Sequence, residues 1–200
     1  MRIEPEKSVF INCPYDPGYA ALFEALIFAT VCCGFVPRSA IESGTVSEPR
    51  MDRIVRALFE SRYSIHDLSR SGGEGEDGLA RFNMRLELGI AMARRYMTRD
   101  TEQAHDWLVL IPARHQYHRF ISDLSGFDPA HHDGTEDTLV PRVMLWLTSR
   151  PNAIPSPDPG QVLEALPKFR LRRKNLGIQW AGEVPWRRVL DAAEEMAPKL

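Results

Sequence analysis

Apolar positions along the chain repeat with two alternating rhythms. Ser8 to Cys13 (SVFINC) is a short apolar, β-branched run that stops at Pro14, the pattern of a buried strand entering a turn. Pro17 then opens a helix: from Gly18 to Cys33, Leu22, Ala25, Leu26 and Ala29 recur at helical spacing, and Gly34 ends it. Phe35 to Ile41 predicts a second strand, which Pro37 assigns to a sheet edge. Met51, Ile54, Val55 and Leu58 predict a helix over Pro49 to Phe59, and Tyr63 to Asp67 a third strand. The polar, glycine-rich stretch Ser69 to Gly78 predicts a mobile loop, followed by a third helix from about Phe82 to Arg95. Trp107 to Ile111 (WLVLI) is the fourth strand. Beyond Pro112 the pattern loosens. Thr138 to Leu147 suits a fifth strand or a helix, Pro151 to Pro159 with four prolines a linker, and Val184 to Met196 a terminal helix.

Four strand-helix alternations with short connections require right-handed crossovers, hence a mainly parallel sheet with helices on both faces. The fold class is α/β. The apolar first strand is expected at its centre, between the second and third, buried on both faces. The looser tail divides the 200 residues into an α/β domain, 1–150, and a helical C-terminal extension packed on it, 151–200.

Composition narrows the functional classes. Twenty-five Lys and Arg against 27 Asp and Glu give a net charge of -2, which argues against a surface built wholly for nucleic acid or an anionic membrane. The local basic run Lys168, Arg170, Arg172, Arg173 and Lys174 reads as a solvated face or a phosphate or nucleic-acid contact. The opening MRIEPEKSVFINCP lacks the apolar core of a secretory leader, and the longest apolar stretch is too short to span a bilayer. A cytoplasmic protein is expected. Three cysteines, Cys13, Cys32 and Cys33, suit buried thiols rather than disulfides. The histidines of HQYH (His115, His118) and the pair His131 and His132 lack metal-ligand spacing and read as solvated loop residues, so no metal and no cofactor is expected.

In open parallel sheets, ligands bind beyond the carboxyl ends of the strands, where the winding reverses. That rule selects Asn12, Cys13, Tyr15 and Asp16 after strand one, Glu42 after strand two, and His66, Asp67 and Ser69 at the end of strand three. The third helix begins at the same edge with Asn83, and Glu87 is the one charge between Leu86 and Ala93. A carboxylate in so apolar a run is costly unless paired, hydrogen-bonded or turned into a cleft, and functional carboxylates are made this way. Facing water near a helix start is the alternative. Asp67 either joins Glu87 over one crevice or caps backbone amides at the strand end. Gly89 permits a close approach of the helix to sheet or ligand. Strand alternation sends His66 to the face opposite Asp67, as a packed histidine.

The combination FINCPYD, SRYSIHDLS and RFNMRLELGIAMA resembles nucleoside 2-deoxyribosyltransferases, together with related nucleotide N-glycosidases and TIR-like NAD hydrolases. The resemblance covers roughly residues 8 to 111 and implies a three-layer, flavodoxin-like fold. It implies Glu87 as the nucleophile in a Glu-hydrophobic-Gly-x-Ala motif, and Asp67 as the strand-end residue that helps hold sugar and base. Asn12, Tyr15, Asp16, Ser69 and Asn83 would line the substrate, Tyr15 by stacking. Arg81 stands six residues before Glu87, where the transferases carry an Asp. An oligomer is implied, because these enzymes complete their sites across subunits. End to end, including HQYHRFISDLSG, the chain is also similar to a group of bacterial proteins.

The expected activity is cleavage or transfer at the N-glycosidic bond of a nucleoside, nucleotide or NAD, through an oxocarbenium-like state that Glu87 stabilises or traps. The alternative is a recognition or signalling module of the defence type that binds a nucleotide in the same crevice without turnover. A nucleic-acid adaptor using the basic segment is the third class.

Overall fold

The computed structural model describes residues 4–42, 48–69, 83–112, 128–180 and 183–199. Strands β1 (Ser8–Asn12), β2 (Val36–Ser39), β3 (Tyr63–Asp67), β4 (Asp106–Pro112) and β5 (Ala130–His132) form one sheet in the order β2-β1-β3-β4-β5. Every pairing is parallel. Helices α1 (Ala20–Cys32), α2 (Arg50–Phe59), α3 (Asn83–Thr98), α4 (Glu136–Thr148), α5 (Pro159–Asn175) and α6 (Trp186–Met196) cover both faces, giving a three-layer flavodoxin-like α/β fold. No helix among the described residues is long and apolar enough to cross a membrane.

β1 lies between β2 and β3, and Val9, Phe10 and Ile11 are fully buried. A strand covered from both sides needs apolar residues at successive positions, which is why VFI does not alternate with polar residues. β2 is an edge strand, where Pro37 removes no ladder donor that the sheet requires. Alternation along β1 and β3 then separates two cores. Val9, Ile11, Tyr63 and Ile65 face α1, α4, α5 and α6, while Phe10 faces Ile54, Ala57 and Leu58 of α2 and Ala91 of α3.

The face carrying α1 is the deeper of the two. α1 packs on β1 and is itself backed by α4, α5 and α6, so it is apolar nearly all round. Phe28 of α1 stacks on Phe169 of α5 with ring centroids 5.2 Å apart. Gly34 ends the helix at φ 80°, and a Cβ there would come within 2.5 Å of Ile154. Thr138 to Leu147, open between strand and helix in the sequence, lies within α4.

α5 is the element that the sequence pattern did not predict. Pro159 and Pro167 break up its apolar rhythm, yet Val162, Ala165, Leu166, Phe169 and Arg173 form a stripe at i, i+3, i+4, i+7 and i+11. Its start carries a readable signal: Asp158 and Gln161 form a capping box, with the Asp158 amide donating to Gln161 at 3.0 Å. The basic run lies on this helix and is largely spent inside the molecule. Arg170 and Arg173 each lie 2.8 Å from the buried Glu24 of α1, Arg170 also pairs with Glu136, and Arg172 pairs with Glu195 at 2.8 Å. A buried carboxylate needs such partners, so this segment is an internal clamp rather than a free basic surface.

Candidate functional site

Asp67 and Glu87 come to the carboxyl edge of the sheet from opposite faces. Asp67 shares the parity of Tyr63 and Ile65 and therefore points to the α1 and α4 side, fully buried. Both of its oxygens are engaged. Oδ1 accepts from the Ser69 amide at 2.8 Å and from the Ser69 hydroxyl, and Oδ2 accepts from the Tyr19 hydroxyl and lies 3.0 Å from His132 Nε2.

Ser69, His132 and Asp67 have the composition of a catalytic triad without its wiring. In a triad the carboxylate holds one ring nitrogen and the serine meets the other. Here Asp67 and Ser69 both meet Nε2, at 3.0 and 3.2 Å, while Nδ1 accepts from the Gly134 amide at 3.1 Å. The proton therefore sits on Nε2 and is directed at the carboxylate, which leaves no base for the Ser69 hydroxyl. The cluster ties the end of β3 to β5. His132, read from sequence as a solvated loop residue, is buried because β5, only three residues long, completes the sheet there. So short a strand leaves no periodic signal.

On the opposite face a chain of polar side chains runs beneath α3. Asn12 Nδ2 donates to the Met84 carbonyl at 2.8 Å and lies 3.0 Å from His66 Nδ1. His66 Nε2 lies 2.8 Å from Ser64 Oγ, which lies 3.0 Å from His105 Nε2, and His105 Nδ1 lies 3.1 Å from the Ser61 carbonyl. One proton order satisfies every link: each imidazole accepts on one nitrogen and donates from the other. Burial holds both rings neutral, with His66 and His105 lowered to about 3. His66 is thus the packed histidine expected of its strand. The chain leaves one loose end, Asn12 Oδ1, which is buried with no hydrogen-bond partner.

Glu87 lies one turn beyond Met84 on the sheet-facing stripe of α3, with Leu88 and Ala91. It is 5% exposed, and its Oε2 has no hydrogen-bond partner among the described residues. Loss of hydration raises its carboxyl to about 7, and the charge of Arg50 offsets only part of this. The side chain opens onto a cleft with about 480 Å³ of empty space, lined by Arg50, Met51, Ile54, Asn83, Leu86 and Glu87. α2 packs on β1 and β2 and α3 on β1 and β3, so this cleft lies between two helix N-termini over the central strand. That is the switch point of a 2-1-3-4-5 sheet.

The structure therefore brings Asn83 and Glu87 to one cleft. Tyr15 and Asp16 line another on the α1 side, with about 390 Å³ of empty space, together with Pro14, Phe23, Ile41 and Trp180. There the Tyr15 hydroxyl donates to the Ile11 carbonyl at 2.8 Å. Asn12, Asp67 and Ser69 line neither cleft. Glu42, at the end of β2, is held by Arg38 at 2.9 Å. Arg50 is the cleft residue that sequence reasoning missed; a helix-opening arginine carries no signal until the fold sets it opposite Glu87.

Cys13 ends β1 within the charge field of Asp67, Glu87 and Asp16. Burial pushes its thiol well above the ordinary range and those carboxylates push it further, so it is no nucleophile. Burial likewise raises Cys32 and Cys33 to about 12. Among the described residues no group of three or more His, Cys, Asp or Glu could hold a metal. The glycine-rich loop beyond Ser69, Arg81 and the HQYH cluster lie outside the described residues. No family model, no curated protein and no solved structure matches this chain.

Proposed function

We propose that the protein cleaves, or transfers at, the N-glycosidic bond of a nucleoside, nucleotide or NAD, with Glu87 as the group that meets the anomeric carbon. One observation carries the reading: a buried carboxyl with an unpartnered oxygen opens onto a cleft at the switch point of a doubly wound sheet. Leaving such an oxygen unmatched costs stability. It is matched when positive charge develops at the sugar, because an ionised Glu87 then stabilises an oxocarbenium-like centre or traps it covalently.

The geometry divides the work among the residues. Asn12 fixes the first turn of α3 through the Met84 carbonyl and so sets the height of Glu87 above the sheet. Asp67, with both oxygens taken, holds β3 against β5 and has no free oxygen for a ligand. Asn83 stands at the cleft mouth, able to donate to and accept from a hydroxyl or a base edge.

The test is chromatography of free base after incubation with nucleosides, deoxynucleotides and NAD, using wild type and Glu87→Gln. Loss of the carboxylate is expected to slow release by on the order of a hundredfold or more, the effect of losing about 3 kcal/mol of electrostatic stabilisation. Because Glu87 must be ionised to act, kcat/KM should rise with pH through about 7. A wild type that binds nucleotides but releases no base would replace this reading with a recognition module. Unchanged release by Glu87→Gln would end the assignment of Glu87.

A further inference from the structure

The geometry points to Arg50 as the anchor of a substrate phosphate, which makes the ligand class of the Glu87 cleft a nucleoside 5′-monophosphate. The inference rests on the N-glycosidic reading of that cleft and narrows it.

Arg50 is the first residue of α2, exposed, and lines the cleft with Glu87. Neighbouring arginines are spent on carboxylates: Arg38 on Glu42 and Glu60, Arg53 on Glu183, Arg56 on Glu48. Arg50 has no hydrogen-bond or ion-pair partner among the described residues, and its nearest electrostatic role is the field it casts on Glu87. Beside it the first amides of α2 point out of the helix. The N-cap is Pro49, whose side chain accepts nothing, so no cap competes for those amides. A guanidinium next to uncapped amides at the positive end of a helix is matched to a phosphate, which takes paired donors from the one and dipole stabilisation from the other. Asp52, the acidic residue of this first turn, does not line the cleft.

The second, independent observation is the opposite pole. Glu87 is buried to 5% exposure, its Oε2 is unpartnered, and it faces the same space. The cleft thus asks for a ligand that is anionic at one end and electron-poor or hydroxyl-bearing at the other. Inorganic phosphate would leave Glu87 unmatched and repelled. A nucleoside would leave Arg50 and the α2 amides to water. A 5′-monophosphate satisfies both, because the furanose ring and one methylene separate its phosphate from the anomeric carbon that Glu87 would face.

The experiment measures base release for matched pairs, each nucleoside against its own 5′-monophosphate, with wild type, Arg50→Gln and Arg50→Lys. Calorimetric titrations with adenosine and adenosine 5′-monophosphate run alongside. In wild type the monophosphates should exceed the nucleosides in kcat/KM by about tenfold to a hundredfold, the value of a charge-assisted contact. Arg50→Gln should bring that ratio near one, and Arg50→Lys should keep part of it, since a point charge replaces the fork. Equal rates in wild type, or a ratio untouched by Arg50→Gln, would overturn the anchor and leave the N-glycosidic reading standing. If no base is released but the monophosphate binds better than adenosine and Arg50→Gln abolishes the difference, the reaction fails and the anchor stands. If no base is released and the monophosphate shows no such advantage in calorimetry, the anchor is overturned with the reaction.

Discussion

Two carboxyls stand at the same edge of one sheet and are treated in opposite ways. Asp67 is sealed on the α1 side with partners on both oxygens, whereas Glu87 is nearly as buried on the α2 and α3 side and keeps an oxygen without a partner. Burial alone therefore does not distinguish a working carboxylate from a structural one. The distinction is in the hydrogen-bond account: a satisfied carboxylate stabilises the fold through its neighbours, and an unsatisfied one destabilises it until a ligand arrives. The two residues should then answer removal of their charge with opposite signs.

The largest effect belongs to Asp67. Asp67→Ala strips a buried acceptor from Tyr19, Ser69 and His132 at once. The expected loss is about 3 to 5 kcal/mol of unfolding free energy, as for breaking other buried charged networks. Urea denaturation at pH 7 measures it, and a loss under 1 kcal/mol would show that the network is looser than its geometry.

The histidine chain beneath α3 comes next. His66 and His105 fall from 6.5 to about 3 on folding, so below pH 6.5 the unfolded chain binds protons that the native one refuses. The stability they contribute is complete above pH 6.5 and is lost as pH falls toward 3. By pH 5 the loss is about 2 kcal/mol for each ring. Glu87 partly masks this in wild type, because it takes up a proton over the same interval. The acid slope is therefore best read in Glu87→Gln, where urea midpoints should drop steeply from pH 7 to 5. A flat profile would mean the rings accept protons while folded.

Glu87→Gln itself should stabilise. Its carboxyl rises from 4.5 to about 7, so between those values the native state holds a proton that the unfolded state has released, and stability falls as pH rises. Above pH 7 the ionised, unmatched group costs about 3 kcal/mol, which the neutral amide avoids. The variant should exceed wild type by that amount at pH 8 and match it near pH 4. A destabilised Glu87→Gln at pH 8 would place Glu87 in the same class as Asp67.

Much of this fold could be read in the sequence because its elements are long or periodic. SVFINC, YSIHD and WLVLI are unbroken apolar strands, and the helices between them carry clear stops, so strand order and the central place of β1 follow from connectivity. β5 and α5 were not legible: one is three residues long, and two prolines interrupt the rhythm of the other. Sequence reading selected Glu87 as a lone charge in an apolar helix. It also set Asp67 over the same crevice, and here alternation decides: residue 67 has the parity of Tyr63 and Ile65, which face α1, while α3 covers the other side. Spacing along a chain cannot show which face a helix will cover.

The smallest effect concerns Gly89, two residues beyond Glu87, and corrects an expectation. A glycine in that motif suggests close approach to sheet or ligand, but a Cβ built on Gly89 meets nothing within 4 Å, and the residue is exposed. In the interior of α3 it therefore costs backbone entropy without a steric return. Gly89→Ala should raise stability by about 0.5 to 1 kcal/mol and leave base release by the folded protein unchanged, since the methyl group points away from the cleft that Glu87 lines. Thermal unfolding and the chromatographic assay check both halves. If the alanine instead weakened ligand binding or lowered the melting temperature, something outside the single chain, a ligand or another copy, would have to come close to α3 at that position. The exposed outer face of α3 would then belong to the site, and the contrast between a sealed Asp67 and an open Glu87 would extend from one side chain to a whole helix.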